Sequence, residues 1–319
     1  MSTIQQQPGS GYEGIASFCR MPMCFDISEL EADVAIVGIC MDCGTTYRSG
    51  ARFGPKAIRE GSMPYAMGYS PHHGFYDIER NQHLLAGKKI VDCGDIPTIP
   101  TLFIETLDVI TQFIQEIRQR GAVPVVLGGD HSISFPVVRA FSDTRLHVIQ
   151  FDTHLDLMDE VMGIRFSHAN PMRRISELKH VTGITQIGIR GLLNQPEWVE
   201  TASEVSRFFT AEQVRHSGEE FVTSHIPPQE NVYISLDIDV LDPSVAPGTG
   251  TPEPGGLSYV ELRELLRGCV MGRNLVGADI VEVNPLFDSS GRTGQVAARL
   301  LIDLLGSATF GSGSVPECG

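Results

Sequence analysis

Three short segments of the sequence concentrate acidic and histidine side chains. The most crowded, Phe151–Asp156, reads FDTHLD and spaces Asp152, His154 and Asp156 at alternate positions. On a β-strand these three side chains would lie on one face. Carboxylates are costly to bury unless they are paired or bind a metal ion, so the spacing indicates metal ligands. The alternative interpretation is a solvated strand end with a chance alternation.

Two further segments supply the same residue types. Ser235–Pro243 reads SLDIDVLDP and places Asp237 and Asp239 on one face, and Gly128–Ser132 reads GGDHS and adds His131. Five carboxylates in one site need compensating cations, which two divalent ions would supply. Mixed carboxylate and imidazole ligation suits Mn²⁺, Fe²⁺, Co²⁺, Ni²⁺ or Zn²⁺. Because a paired metal site generates hydroxide near neutral pH, the three segments together predict hydrolysis.

Apolar runs lie between and before these segments, and their order predicts the fold. Seven runs are typical of buried parallel strands: Asp33–Cys40, Lys89–Asp92, Val123–Gly128, Leu146–Phe151, Ile184–Ile189, Val232–Asp237 and Leu275–Val283. Helical patterns alternate with them: Phe103–Arg120, Ser134–Phe141, Ala211–His216, Ser258–Cys269 and Gln295–Leu305. The alternation predicts an α/β layered fold, in which ligands bind beyond the carboxyl ends of the strands.

Composition excludes several other classes of protein. The 319 residues carry 24 Lys and Arg against 39 Asp and Glu, a net charge of −15, which argues against nucleic acid as a partner. No secretory signal and no run of apolar residues long enough for a transmembrane helix is evident, so we expect a cytoplasmic protein without membrane contact. The seven cysteines are too few and too scattered for a disulfide scaffold. The pair Cys40 and Cys43 is interpreted as ordinary cysteines in a strand-to-loop turn.

The three acidic segments, taken in order, resemble the ureohydrolase (arginase/agmatinase) superfamily. The similarity extends through Ala246–Gly256 (APGTGTPEPGG), Val281–Pro285 (VEVNP) and Thr45–Ile58, and is greatest for the agmatinase and guanidinobutyrase branch. The resemblance implies a three-layer α/β/α fold around a central parallel sheet. It also implies a binuclear centre, usually of manganese, that hydrolyses a small cationic guanidino compound to urea and an amine. Nickel is the alternative metal, because mixed oxygen and nitrogen ligation accepts it.

The resemblance assigns a role to each residue of the predicted site. It implies that Asp152 and Asp237 bridge the two ions. The remaining ligands would be His131 and Asp156 on one ion and His154 and Asp239 on the other. Asp156 would also orient the hydroxide, Glu282 would hold the guanidinium, and His168 would transfer a proton and contact the substrate. A single domain would span residues 31–305, between an N-terminal extension (1–30) and a flexible tail (306–319). Relatives are commonly trimers or hexamers, so we expect a homo-oligomer.

The substrate-facing loops depart from the family pattern and leave the substrate open. The chain reads His168-Ala169-Asn170-Pro171 where relatives commonly have His-Gly, which adds the Asn170 amide as a predicted substrate contact. Asp159 or Glu160 would suit a terminal amine, and Arg165 or Arg190 a carboxylate. Apolar candidates would suit an alkylated guanidine or a biguanide: Met158, Met162 and Trp198.

Two further functions remain open from the sequence. The chain could be a non-catalytic subunit of a hetero-oligomer with an active relative, because its loops are altered. A metal-dependent deacetylase has a related fold, but the intact ligand set and the VEVNP segment disfavour it.

Overall fold

The computed structural model describes residues 14–193, 195–228 and 230–310 and is built around a parallel sheet. Its strands, in chain order, are β1 (Val34–Gly38), β2 (Phe75–Asp77), β3 (Gln82–Leu84), β4 (Ile90–Asp95), β5 (Val123–Leu127), β6 (Leu146–Phe151), β7 (Val181–Ile189), β8 (Arg207–Thr210), β9 (Asn231–Asp237) and β10 (Asn274–Val281). Eight of them form the main sheet in the order β4-β1-β5-β10-β9-β6-β7-β8, and every neighbouring pair is parallel. Strands β2 and β3 form a separate antiparallel hairpin.

Helices cover both faces of the main sheet. They are α1 (Gly54–Ala66), α2 (Phe103–Gln119), α3 (Ser134–Arg139), α4 (Pro171–Ser176), α5 (Glu197–Val205), α6 (Ala211–Thr223), α7 (Tyr259–Val270) and α8 (Arg292–Ser307). Helices α1, α6, α7 and α8 contribute to one apolar core, and α2, α3, α4 and α5 contribute to the other. The predicted three-layer α/β/α architecture is confirmed.

The strands show why two cores are needed. Along β1, Val34 and Ile36 pack into one core, whereas Ala35 and Val37 pack into the other. All five residues of this strand are buried, as expected for a parallel sheet that is covered on both faces. The continuous apolar runs of the sequence are therefore strands with two buried faces.

The predicted and observed elements agree best in the middle of the sheet. Strand β6 has the predicted bounds, the runs of β1 and β5 contain their strands, and the other four runs overlap a strand that extends beyond the predicted limits. The edge strand β8, the hairpin of β2 and β3 and the helices α1, α4 and α5 were not predicted.

The sequence predicts an N-terminal extension over residues 1–30 and a flexible tail over residues 306–319. Helix α8 continues to Ser307 and Thr309 pairs with Asn274, so residues 306–310 of the predicted tail are structured. Residues 1–13 and 311–319 lie outside the described residues. At the other end, Phe18 and Met21, in the predicted N-terminal extension, are buried in the core that α1 joins.

Candidate binuclear metal centre and active site

Four adjacent central strands end directly before the predicted site residues. These strands are β5, β10, β9 and β6, which are neighbours in the middle of the sheet. The carboxyl ends of parallel strands meet at one edge, so the four following loops converge there. After β5, Asp130 caps a 3₁₀ turn that begins at His131, and after β9, Asp237 caps a second turn that contains Asp239.

The predicted strand geometry of Asp152, His154 and Asp156 is wrong. Pairing of β6 with both neighbouring strands ends at Phe151, and the three residues lie in the loop that follows. The Asp152 carboxylate accepts the His154 N–H at 2.6 Å, and Asp156 has a φ of +51°. A side chain-to-backbone hydrogen bond and a left-handed residue bend the chain, so the side chains converge through a turn.

One group of ligand atoms surrounds His131. Its Nδ1 lies 2.9 Å from Asp156 Oδ2, 3.0 Å from Asp152 Oδ2 and 3.3 Å from Asp237 Oδ2. All four side chains are buried, yet Nδ1 has no partner with hydrogen-bond geometry. A buried nitrogen that faces three carboxylate oxygens without an aligned hydrogen bond fits a shared metal ion between them.

A second group surrounds His154. Its Nδ1 lies 3.2 Å from Asp239 Oδ2 and 3.4 Å from Asp152 Oδ1. Asp152 therefore directs one oxygen to each histidine, as a bridging carboxylate must. The His154 side chain is 43% exposed, so this group opens toward solvent. Asp237 Oδ1 accepts the Asp239 N–H at 2.8 Å, and the bridging role of Asp237 stays a prediction.

The electrostatics of the two groups also fit bound cations. Burial, reinforced by the charges of Asp239 and Asp152, raises the pKa of Asp237 well above its ordinary value. Burial and the charge of Asp152 raise the pKa of Asp156 to about 6. Among the described residues, the ion pairs of these carboxylates are with His131 and His154, and no Lys or Arg joins them. Oxygen and imidazole donors with excess negative charge suit divalent ions. The six ligands together with Glu282 are called the metal floor below.

A buried chain of hydrogen bonds supports His131 from behind. Its Nε2 lies 2.9 Å from Ser235 Oγ, which donates to Asp279 Oδ1 at 2.8 Å. Tyr233 donates to the other oxygen of Asp279 at 2.6 Å. Such an outer carboxylate fixes the orientation of a metal-binding imidazole. Sequence reasoning missed this chain, although a charged residue within the apolar run of β10 was a signal for it.

Glu282 presents one free oxygen to the site. Its Oε1 accepts the His131 backbone N–H at 3.0 Å and lies 3.1 Å from His168 Nδ1. Its Oε2 is buried and has no hydrogen-bond partner. Glu282 also has a φ of +61°, and its N–H donates to Gly129 O at 2.8 Å. The backbone thus fixes a carboxylate with one unsatisfied oxygen beside the ligand groups.

His168 lies between Glu282 and Thr46. Burial lowers its pKa, but the hydrogen bond and charge of Glu282, with the charges of Asp130 and Asp156, outweigh burial and raise it to about 9. Thr46 offers Nε2 both its backbone N–H, at 3.1 Å, and its hydroxyl, at 2.8 Å. The N–H can donate to a neutral imidazole, and the hydroxyl can accept from a protonated one. Thr46, whose role sequence reasoning missed, therefore suits a histidine that changes protonation state.

A cavity of about 800 Å³ opens above the metal floor. Its lining includes His154, Asp156, Asp237, His168 and Glu282. The other three predicted ligands, His131, Asp152 and Asp239, are almost completely buried behind them.

The structure does not bring Asn170 into this cavity. The side-chain oxygen of Asn170 accepts the Ser167 N–H at 3.0 Å, and its amide nitrogen donates to Met158 O at 2.7 Å. Both ends of the amide are therefore used to shape the loop that carries His168.

The cysteine pair lies apart from the ligand groups. Cys40 and Cys43 are free thiols. Burial, with the nearby charge of Asp95, raises the pKa of Cys40 to about 12, and burial also raises the pKa of Cys43. Neither thiol is activated as a nucleophile.

The fold and these side chains define an α/β protein with a candidate binuclear metal centre. A model of the Arginase family matches residues 32–306, so the chain belongs to that family. It is 34% identical to guanidinobutyrase from Pseudomonas aeruginosa over 94% of this chain and 95% of the relative. It is 35% identical to guanidinopropionase from the same organism, over 92% of each chain. The crystal structure of proclavaminate amidinohydrolase from Streptomyces clavuligerus superposes with a TM-score of 0.81 and 32% identity, over 94% of this chain and 98% of that one.

Proposed function

We propose that this protein is a metal-dependent amidinohydrolase that cleaves the C–N bond of a guanidino compound. The balanced reaction converts one protonated N-substituted guanidine and one water into urea and one protonated amine. The observation that carries this proposal is the buried, unpartnered Oε2 of Glu282 beside two groups of metal ligands. A carboxylate held in this way is suited to accept N–H bonds from a planar cation. Family membership and the names of the relatives support the same reaction class.

The ligands would hold two divalent ions, one at each group. His131, Asp152, Asp156 and Asp237 form the first group, and Asp152, His154 and Asp239 form the second, with Asp237 as the predicted second bridge. Bound there, the two ions would supply a hydroxide nucleophile from water near neutral pH. We favour Mn²⁺, because carboxylate oxygens outnumber imidazole nitrogens, and Ni²⁺ is the alternative.

Three residues of the chain would act on the substrate. Glu282 would accept substrate N–H groups and hold the guanidinium carbon over the ligand groups. Asp156 would orient the nucleophile, since its carboxylate lines the cavity and also faces His131. His168, whose pKa is about 9 without bound ions and which Thr46 positions, would give a proton to the departing amine nitrogen.

Homo-oligomerisation in the cytoplasm completes the proposal. An exposed apolar patch supports self-association. It consists of Tyr47, Phe287 and the adjacent Leu286, all three exposed, and Arg48 lies over the rings of Tyr47 and Phe287. We expect a trimer or hexamer by mass measurement in solution. Among the described residues, no helix is long and apolar enough to cross a bilayer.

The purified chain alone tests the proposed function. After loading with Mn²⁺ or Ni²⁺ in separate samples, it should release urea from at least one of agmatine, 4-guanidinobutyrate, 3-guanidinopropionate, guanidine or a biguanide. Glu282→Gln should lower kcat/KM about 10²- to 10³-fold, because it removes the charge that faces the cation. Its metal content should stay that of the unsubstituted protein. Release of an amine or acid without urea would contradict the proposal, and a need for a second subunit type would indicate a hetero-oligomer.

A further inference from the structure

The outer part of the cavity is built mainly from apolar side chains. Beyond the metal floor, the lining comes from the loop after β6, helix α4, the end of β7 and the loop that follows it, helix α5, strand β8 and the loop that carries Glu253. The apolar side chains of this part, called the apolar wall below, are Met158, Ile189, Leu192, Leu193, Trp198 and Phe208. Together with a volume of about 800 Å³, they leave space for a substituent much larger than a bare guanidinium.

Two of the three arginines near this wall, Arg190 and Arg165, are occupied by the protein itself. The three guanidinium nitrogens of Arg190 donate to backbone carbonyls, and the shortest bonds go to Asp239 O and Glu253 O at 2.7 Å. Arg173 lines the cavity but lies 3.6 Å from a carboxylate oxygen of Glu177. Arg165, which was a candidate for binding a substrate carboxylate, pairs with Asp159 at 3.3 Å. Arg173 is therefore the least committed cation near the wall among the described residues, because its Nε forms no hydrogen bond and its side chain is 33% exposed.

The carboxylates near the wall offer an ammonium group no partner that is both buried and unpaired. Asp159 already binds Arg174 as well as Arg165. Glu160 is exposed at the rim, where solvent weakens an ion pair to a fraction of a kcal/mol or about 1 kcal/mol at most. The Glu253 side chain lies against Gly191, where an added Cβ would be 3.4 Å from its carboxylate carbon. A charged substrate tail would lose hydration along the wall without gaining a buried partner.

We infer that the apolar wall selects guanidines that carry an uncharged, apolar N-substituent. The inference rests on the proposed function, because the guanidinium must lie on Glu282 for its substituent to reach the wall. Trp198 is the central contact, since its indole ring is the largest apolar side chain of the wall. The products would be urea and an alkyl- or arylalkylamine whose chain carries no charged group. Polar-tailed guanidines are disfavoured by the same surface.

Three substrates of similar length test the inference with the Mn²⁺-loaded, full-length protein. Pentylguanidine replaces the terminal ammonium of agmatine by a methyl group, and 4-guanidinobutyrate ends in a carboxylate. We expect kcat/KM for pentylguanidine to exceed both others by about tenfold or more, in line with the discrimination that apolar pockets achieve. Trp198→Ala should reduce the ratio of pentylguanidine to agmatine by about tenfold. Glu200→Ala, an exposed change on the same helix, should leave this ratio unaltered.

Each other result overturns a named part of the inference. If agmatine is preferred, its ammonium group is held by Glu160 or Glu253. If 4-guanidinobutyrate is preferred, its carboxylate is held by Arg173. Either result overturns the selectivity for apolar tails. An unaltered ratio in Trp198→Ala would remove the indole from the specificity site. Calorimetry gives the affinity of the same protein for each of the three compounds. It therefore shows which tail binds best even if no compound is hydrolysed. If none releases urea but pentylguanidine binds most tightly, the proposed function fails and the apolar selectivity stands; equal or weaker binding overturns the selectivity too.

Discussion

The metal floor and the apolar wall line one cavity but are held in place very differently. Asp152 and Asp239 of the floor are 0% and 1% exposed, whereas Leu192 and Leu193 of the wall are 99% and 50% exposed. The floor residues lie at or after the ends of central strands, and the carboxylates of Asp152, Asp239 and Glu282 accept hydrogen bonds from backbone N–H groups of the loops. The wall residues come from loops and from the edge of the sheet. The rigid part would determine the reaction, and the less constrained part would determine which substrate undergoes it.

Backbone conformation sharpens the contrast. Asp156 and Glu282 of the floor have φ values of +51° and +61°, a region that costs a non-glycine residue about 1–3 kcal/mol. In the wall loop, the left-handed position is occupied by Gly191, for which it costs little. The floor therefore retains strained residues where their carboxylates are needed. A substitution there should alter turnover of every substrate, whereas a change in the wall should alter their ranking.

The largest effect is expected from Asp152→Ala. Because the two oxygens of Asp152 face His131 and His154 separately, its loss should empty both groups of ligands. We expect metal content to fall to background and urea release to fall by a factor of about 10⁴ or more for all substrates alike, the size of effect that follows loss of a central catalytic group. Elemental analysis and a urea assay measure both quantities. Glu160→Ala, in the same loop but exposed, should keep its metal; a metal-replete Asp152→Ala protein would contradict the ligand assignment.

A smaller effect is expected from Asp279→Asn, one step behind the floor. The change removes the charge that holds Ser235 and, through it, the His131 ring. Metal affinity should fall about 10- to 100-fold, as is usual when an outer partner of a metal ligand is lost. Competition with a chromogenic chelator measures the affinity. At saturating metal, the ranking of substrates should not change.

Asp303→Asn provides the matched control for this prediction. Asp303 is also a buried acid that accepts a hydrogen bond from a tyrosine, Tyr259, but it lies on helix α8. The Asp303→Asn variant should bind metal with the same affinity as the unsubstituted protein. Equal affinity in the two variants would show that Asp279 has no special influence on the ligand group.

How far the sequence predicts the structure differs between the two regions. Six residues of the floor were predicted as metal ligands from residue type and spacing, because buried carboxylates are costly unless they are paired or bind a metal ion. Their local geometry was not found. Alternate spacing fits a strand face, but the Asp152 carboxylate and the left-handed Asp156 produce the same convergence in a loop, and no periodicity distinguishes the two.

Tertiary contacts explain what else the sequence concealed. Helix α1 contains Gly54, Pro55, Gly61 and Pro64, a composition typical of a loop. An added Cβ at Gly61 would lie 2.4 Å from the backbone of Gly294, so the glycine is required for close packing against α8. The wall was predicted in part, since the candidates Met158 and Trp198 line the cavity. The commitment of Arg190 to carbonyls of segments far away in sequence was hidden. Met162, an apolar candidate, is 93% exposed and does not line the cavity.

The smallest predicted effect concerns Thr46, which joins the floor to the loop of His168. Thr46→Val removes the hydroxyl that can accept from a protonated Nε2 but keeps the backbone N–H that opposes it. The protonated imidazole is therefore less stable in the variant, and the pKa of His168 falls from its value of about 9. If the protonated form donates to the leaving amine, the decline of kcat at alkaline pH should begin about one pH unit lower, because one hydrogen bond contributes about 0.5–1.5 kcal/mol. Bound divalent ions would lower the pKa of His168 in both proteins, so the difference between their pH profiles is the measurement. Thr45→Val removes the neighbouring hydroxyl, which contacts Asp130 instead, and should leave the alkaline limb in place. If the alkaline limbs of Thr46→Val and the unsubstituted protein coincide, then either His168 is not the proton donor whose ionisation limits turnover, or Thr46 is not its partner. If the limb of Thr46→Val lies at higher pH, the hydroxyl has the opposite role to the one assigned to it.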